Sequence, residues 1–151
     1  MKNISEWNEF FENLKANSSI KSEIKIYNSF NQILRALKDK SLSAEQIKSI
    51  EQKLQTLELD SNPVKRKKFY RKALDQFKAF IKNDFAFILK GYYTNLGIGL
   101  GSTFGIIVGI VFLSNLERSL GIVLGVSFGM LIGLLIGRRL DAQAQAEGRV
   151  L

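Results

Sequence analysis

The chain has no cysteine and no histidine among its 151 residues. These absences exclude disulfides, thiol nucleophiles, Cys/His zinc sites and every catalytic triad that relies on a histidine base. The sequence also contains no paired carboxylates, phosphate-binding loop or metal-ligand spacing. We therefore predict a protein that is not an enzyme and that has no catalytic residue, cofactor or metal.

Glycine and charge are each missing from a different part of the chain. Residues 1–90 contain no glycine, and all twelve glycines lie between Gly91 and Gly148. From Gly91 to Gly137 the only charged residues are Glu117 and Arg118, whereas residues 1–90 carry eighteen Lys and Arg against eleven Asp and Glu. This composition predicts a basic part that is soluble and a second part that belongs in a membrane.

The fold class predicted from these differences is an all-α membrane protein. We expect a soluble helical head over residues 1–90, a transmembrane hairpin over 91–137 and a short polar tail over 138–151. Residues 141–151 of this tail either form one or two helical turns or are frayed. The beginning of the chain lacks the unbroken apolar core of a signal peptide.

Four amphipathic segments make up the predicted head. Apolar residues recur at steps of three and four over residues 4–16, over about 20–38, between Ser43 and Asp60, and over about 63–90. Ser43 and Gln46 have the spacing of a capping box. Four such helices in ninety residues predict a small antiparallel bundle. With no glycine before Gly91, the fourth helix is expected to run into the first membrane span with little or no break.

Two apolar runs, over residues 92–113 and 120–137 with a loop at 114–119, are the predicted spans. As helices they measure about 33 Å and about 27 Å, enough to cross a bilayer. Both carry small residues at every fourth position, which lets two helix backbones approach closely. The predicted packing residues are Gly97, Gly101, Gly105, Gly109, Gly121, Gly125, Gly129, Gly133 and Gly137.

The spacing of the glycines also predicts a register for the hairpin. A tight turn centred on Glu117 would place Gly121 opposite Leu113. The same turn would set four glycine pairs level with each other: Gly97 with Gly137, Gly101 with Gly133, Gly105 with Gly129, and Gly109 with Gly125.

The two runs also resemble each other. Residues 96–105 match residues 120–129 at an offset of 24, which makes Thr103 and Ser127 equivalent positions. Either one span was duplicated, with the repeats related by a pseudo-two-fold axis in the membrane plane, or two glycine-rich spans look alike by composition.

At these residues the chain resembles the bacterial glycine-zipper family of small membrane proteins. The resemblance covers residues 96–151, including a tail with the pattern GRRLD…EGRVL at 137–151, and does not extend to residues 1–90. It implies a hairpin in the inner membrane of a bacterium and no particular activity.

Positive charges flank the predicted spans. Lys78, Lys82 and Lys90 precede the first, Arg138 and Arg139 follow the second, and the loop is neutral. The excess of Lys and Arg in cytoplasmic segments then places both termini in the cytoplasm.

A dense run of positive charge marks the start of the fourth predicted helix. The run consists of Lys65, Arg66, Lys67, Lys68, Arg71 and Lys72. It is either a solvated helix face or a binding surface for nucleic acid, anionic lipid or an acidic partner. Nucleic acid is not expected, because no nucleic-acid-binding fold signature accompanies the run. Asp84 lies within the apolar stripe of the same helix. It is either a buried functional carboxylate, or a residue that pairs with a Lys of a neighbouring helix or lies at the end of the bundle.

Two functions fit the sequence. The first is a non-enzymatic membrane-anchored interaction or assembly protein, whose partners are membrane lipid and either further copies of itself or another membrane or cytoplasmic protein. The alternative is a membrane-permeabilising or channel-forming protein, holin-like or a defence effector, controlled by the head. Ser102, Thr103 and Ser127 would then line a pore, unless their hydroxyls bond to their own helix. The absence of charge from the middle of both spans argues against a transporter.

Overall fold

The structure, a computed structural model, describes residues 2–61, 63–112 and 118–151. Within these residues it contains six α-helices and no strand. The helices are α1 (Ile4–Ala16), α2 (Lys21–Lys38), α3 (Ala44–Thr56), α4 (Arg66–Phe85), α5 (Tyr92–Phe112) and α6 (Arg118–Ala146). The chain divides into two compact units, one comprising residues up to Phe87 together with Leu151, and the other Ile88–Val150.

Capping boxes begin two helices of the first unit. The side chain of Ser43 accepts a hydrogen bond from the amide of Gln46 at 3.2 Å, and the Gln46 side chain accepts one from the Ser43 amide at 2.9 Å. The capping box predicted for α3 is therefore confirmed. Asn3 and Glu6 make the same reciprocal pair at the start of α1. Each pair satisfies amides that have no partner within the helix.

Aromatic rings from three helices meet in the core of the first unit. Phe11 of α1 stacks on Phe30 of α2, with ring centroids 4.2 Å apart, and Phe30 stacks on Phe77 of α4 at 6.0 Å. All three side chains are fully buried. Trp7 is also buried, so Trp7 and Phe11 belong to the core and are not free to anchor the head to a membrane or a partner.

The end of α4 differs from the sequence prediction. The helix ends at Phe85 and does not continue to about residue 90, because Ala86 adopts the left-handed conformation (φ 56°). Two residues later, Ile88 is buried and its amide donates to the carbonyl of Arg149 at 2.9 Å. The chain is therefore not helical between the end of α4 and the start of α5 at Tyr92. Asp84 is exposed and lies in the last turn of α4, so it is not a buried carboxylate.

We expect Ala86→Gly to raise the free energy of unfolding by about 1 kcal/mol, because the left-handed conformation is strained for alanine and not for glycine. Thermal or chemical unfolding of the first unit in the detergent-solubilised protein measures this. The matched control is Ala79→Gly in the exposed interior of α4, which should lose about 1 kcal/mol. If both variants lose stability, strain at Ala86 is not significant.

The second unit consists of α5, α6 and the residues that flank them. The second predicted span was expected to end at residue 137, but α6 continues to Ala146 and is 29 residues long. The residues after 137 are therefore mostly a helical extension. Gly148 (φ 69°) ends it in a Schellman motif, in which the amide of Arg149 donates to Ala144 at 2.9 Å and that of Gly148 to Gln145 at 3.0 Å.

The loop predicted for residues 114–119 ends earlier than expected, because α6 already begins at Arg118. Residues 114–117, including the proposed centre of the turn at Glu117, lie outside the described part of the chain. So does Leu113, the predicted last residue of the first span.

Candidate functional site

The glycines of α5 and α6 lie along one interface between the two helices. A Cβ atom added to Gly105 would lie 2.8 Å from the carbonyl carbon of Gly125, and one added to Gly129 would lie 2.9 Å from that of Gly101. Both distances are below 3.0 Å, and real Cβ atoms essentially never come that close to such an atom. The two backbones are therefore in direct contact, and no larger residue fits between them without a shift of the helices.

The glycines of the two helices interdigitate, so each glycine of one helix lies between two of the other. The carbonyl groups nearest to an added Cβ pair Gly97 with Gly133, Gly101 with Gly129, Gly105 with Gly125, and Gly109 with Gly121. Three of the predicted pairs are also in contact: a Cβ added to Gly125, Gly129 or Gly133 would lie 2.8 Å, 2.9 Å or 3.3 Å from the Cα of Gly109, Gly105 or Gly101, respectively. The observed register is therefore shifted from the predicted one by less than a helical turn.

Contacts near the start of α5 accompany this register. The carboxylate of Asp141 accepts hydrogen bonds from the amides of Tyr93 at 3.0 Å and Thr94 at 2.9 Å. These amides are in the first turn of α5 and have no partner within the helix. Gly137 lies against the backbone of Tyr93 and Thr94. A shift of one turn would move Asp141 away from both amides, so these two bonds are made only in the observed register.

Asp141 is thus a positioning residue that the sequence did not identify. It lies beyond the predicted second span, in what was expected to be a polar tail. Asp141 reaches the start of α5 because α6 continues beyond residue 137 and because the two helices pair in the observed register.

We expect Asp141→Ala to destabilise the start of α5 by about 1 kcal/mol, the usual effect of losing an N-terminal cap. Hydrogen exchange of the Tyr93 and Thr94 amides in detergent should accelerate about fivefold, while the amides in the middle of α5 are unchanged. Asp75→Ala, at an exposed position of α4, is the control and should change neither. Unaltered exchange at Tyr93 and Thr94 in Asp141→Ala would contradict the capping role.

The hydroxyl groups of the spans bond to their own helices. Thr103 donates to the carbonyl of Gly99 at 3.0 Å, and Ser127 donates to that of Val123 at 2.8 Å. Ser102 likewise donates to Ile98 at 2.7 Å. The bonds of Thr103 and Ser127 are equivalent under the offset of 24, and the observed register places these two residues level with each other.

A groove of about 570 Å³ runs along one side of the helix pair. Its lining consists of glycines and apolar side chains. The exposed rings of Phe104 and Phe128 lie on its two sides. No polar side chain lines it. The groove therefore offers neither a catalytic group nor a site for a polar ligand.

Large apolar side chains also cover the outer surface of α5 and α6. Two segments are long and apolar enough to cross a membrane, Tyr92–Val111 with mean hydropathy 1.6 and Ser119–Ala146 with 2.4. Only 11% and 22% of their most apolar windows are buried, so these are not core helices of a soluble domain. An exposed apolar surface of this extent indicates contact with a membrane or with another protein.

The basic residues predicted as a binding patch lie at the start of α4. Lys65, Lys67, Lys68, Arg71 and Lys72 are exposed. Arg66 is half-buried, and its Nε is buried without a hydrogen-bond partner among the described residues. None of the ion pairs found in the described ranges (2–61, 63–112 and 118–151) includes any of the six.

Tyr70 lies between these cations in the sequence but points into the core. It is 2% exposed, and its hydroxyl donates to the carbonyl of Leu59 at 2.9 Å. Close by in the core, burial and the nearby carboxylate of Glu23 raise the pKa of Tyr27 to about 12, so its phenol is neutral. The five exposed cations and the buried Tyr70 therefore lie on different faces of this part of α4.

Comparisons with known proteins add no further information about the chain. No protein-family model matches it, and neither a curated protein nor a solved structure is significantly similar.

Proposed function

We propose that the chain is a non-enzymatic, membrane-anchored interaction or assembly protein of the glycine-zipper type. The α5–α6 pair would be the anchor, and the helical head would bind a cytoplasmic protein or other copies of the chain. The observation that carries this proposal is the backbone contact between two helices whose outer surface is apolar. In hydrocarbon, apolar side chains gain nothing from meeting each other, so close backbone packing is the main source of helix association.

The proposed location is the inner membrane of a bacterium, with both termini in the cytoplasm. The distribution of positive charge supports this orientation. Exposed Lys90 precedes α5, and exposed Arg138 and Arg139 lie on α6 at the same end of the helix pair, whereas residues 114–119 at the other end of the sequence hairpin have no net charge. The resemblance of residues 96–151 to bacterial glycine-zipper proteins supports the bacterial inner membrane as the location.

The contacts of the hairpin favour an anchor over a channel. The hydroxyls of Ser102, Thr103 and Ser127 are used within their own helices, and the groove has an apolar lining. A channel would need several copies of the chain and a polar path for ions, which neither feature supplies.

The test begins with the mass of the detergent-solubilised particle and with conductance in lipid bilayers. We expect a monomer or a small oligomer without conductance. A ring of many copies that conducts ions would overturn the proposal in favour of a channel. Recovery of the chain in the soluble fraction, without detergent, would overturn the membrane anchor itself.

A further inference from the structure

We propose that the outer face of α4 binds an anionic lipid surface through Lys65, Lys67, Lys68, Arg71 and Lys72. This inference rests on the proposed membrane anchor and names a partner for the head. The five cations are exposed, and they lie within two turns of helix, about 11 Å along the axis. They form what we call the basic face.

The geometry of the helix separates the basic face from the core. Lys65 is the N-cap of α4, and at 100° per residue the four cations within the helix occupy an arc of about 140°. Tyr70, Leu74, Phe77 and Ile81 occupy a separate arc of about 60° and are buried. The basic face is therefore available to a partner without any change in the packing of the head.

The first turn of α4 increases the positive potential of this surface. It contains no acidic residue, and Lys65 at the N-cap makes no side-chain capping bond. The amino end of a helix already carries a partial positive charge, so cations placed there repel it and reduce stability. A polyanion bound at this end would remove the repulsion, whereas a merely solvated face would retain it.

Two observations favour lipid over nucleic acid as the polyanion. Binding of single-stranded nucleic acid generally uses exposed aromatic rings on which bases stack. Tyr70, within the run of cations, is 2% exposed, and Phe69 is half-buried against it with ring centroids 5.2 Å apart. In addition, the same chain carries two helices suited to a membrane, which would keep lipid headgroups at a high effective concentration.

The break in the chain between α4 and α5 is compatible with this binding. Residues 86–91 are not helical, and both Ala86 (φ 56°) and Gly91 (φ 77°) have left-handed backbones. The basic face is therefore not held at the far end of one continuous helix that rises from the membrane. Lys78 lies further along the outer side of α4 and would add to the contact with lipid.

A single label on full-length protein tests the proposal. Because the chain has no cysteine, Ala79→Cys provides a unique labelling site. Ala79 is exposed and lies seven residues, almost two turns, after Lys72, so the label is on the same side of α4. The labelled protein is reconstituted into nanodiscs of neutral lipid or of neutral lipid with about 30% anionic lipid. A quencher attached to lipid headgroups reports how closely the label approaches the bilayer.

We expect quenching to increase about tenfold when anionic lipid is present and to disappear in about 0.5 M salt. The variant with Lys65→Gln, Lys68→Gln and Lys72→Gln should lose this increase. The matched control, with Lys21→Gln, Lys25→Gln and Lys48→Gln, removes the same charge from exposed positions outside α4 and should retain it. The salt result needs none of the lysine substitutions and so does not depend on how the two triple variants fold.

Three results would overturn the proposal. The first is equal quenching in neutral and anionic nanodiscs, and the second is equal loss of quenching in the two triple variants. The third is release of the label from the bilayer by added single-stranded RNA, which would assign the basic face to nucleic acid. A chain that does not enter nanodiscs at all would instead overturn the proposed membrane anchor.

Discussion

Gly101→Ala is expected to destabilise the α5–α6 pair by about 3 kcal/mol, because the added methyl group would overlap the backbone of α6. The new Cβ would lie 2.9 Å from the carbonyl carbon of Gly129 and 3.2 Å from the Cα of Gly133. Neither is the end of a flexible side chain, so the helices themselves must separate. Unfolding of the pair in detergent or by steric trapping in bilayers measures the loss.

Gly99→Ala is the matched control, two residues away on the same helix. A Cβ added to Gly99 has nothing within 4 Å. Alanine also favours a helix more than glycine, so Gly99→Ala should be neutral or stabilising by up to about 1 kcal/mol. Similar losses in the two variants would show that the glycines matter through helix propensity and not through contact between the backbones.

Phe11→Ala is expected to destabilise the head by about 3–5 kcal/mol, which is enough to unfold most small domains. Phe11 is fully buried and stacks on Phe30, and its ring also meets Tyr27 and Tyr70 at centroid distances of 6.3 Å and 6.5 Å. Removing it opens a cavity where α1, α2 and α4 meet. The near-ultraviolet circular dichroism of the core aromatic residues and limited proteolysis of residues 2–85 measure the effect.

Phe10→Ala, at the neighbouring position, serves as its control. Phe10 is only half-buried, and we expect a loss of about 1 kcal/mol or less. If Phe10→Ala and Phe11→Ala destabilise the head equally, α1 does not pack with the face that the structure gives it.

Helical periodicity predicts the existence of α1, α2, α3 and α4 because each has one apolar face. The spacing of Trp7 and Phe11 or of Phe77 and Ile81 is visible in the sequence, and these side chains are buried. Periodicity does not predict the end of α4. Its apolar stripe continues to Ile88, but Ile88 lies outside the helix, where it is buried and its amide donates to the carbonyl of Arg149. A contact between residues so far apart in the chain leaves no local signal.

The candidate site was predictable in its residues and only in part in its alignment. A glycine at every fourth position indicates close packing, and the glycines do line the α5–α6 interface. In the observed register Asp141 bonds to two amides that any helix start would offer. Likewise, the sequence identifies the cations from Lys65 to Lys72, whereas their position opposite the core depends on which side of α4 packs against α2 and α3.

The bond between Ile88 and Arg149 has a mechanical consequence for the second unit. The chain enters this unit at Ile88 and leaves it at Val150, and the two residues form a parallel bridge. The segments that enter and leave the unit are thus hydrogen-bonded to each other. A force that pulls Ile88 away from Val150 would act on this contact before it could separate α5 from α6.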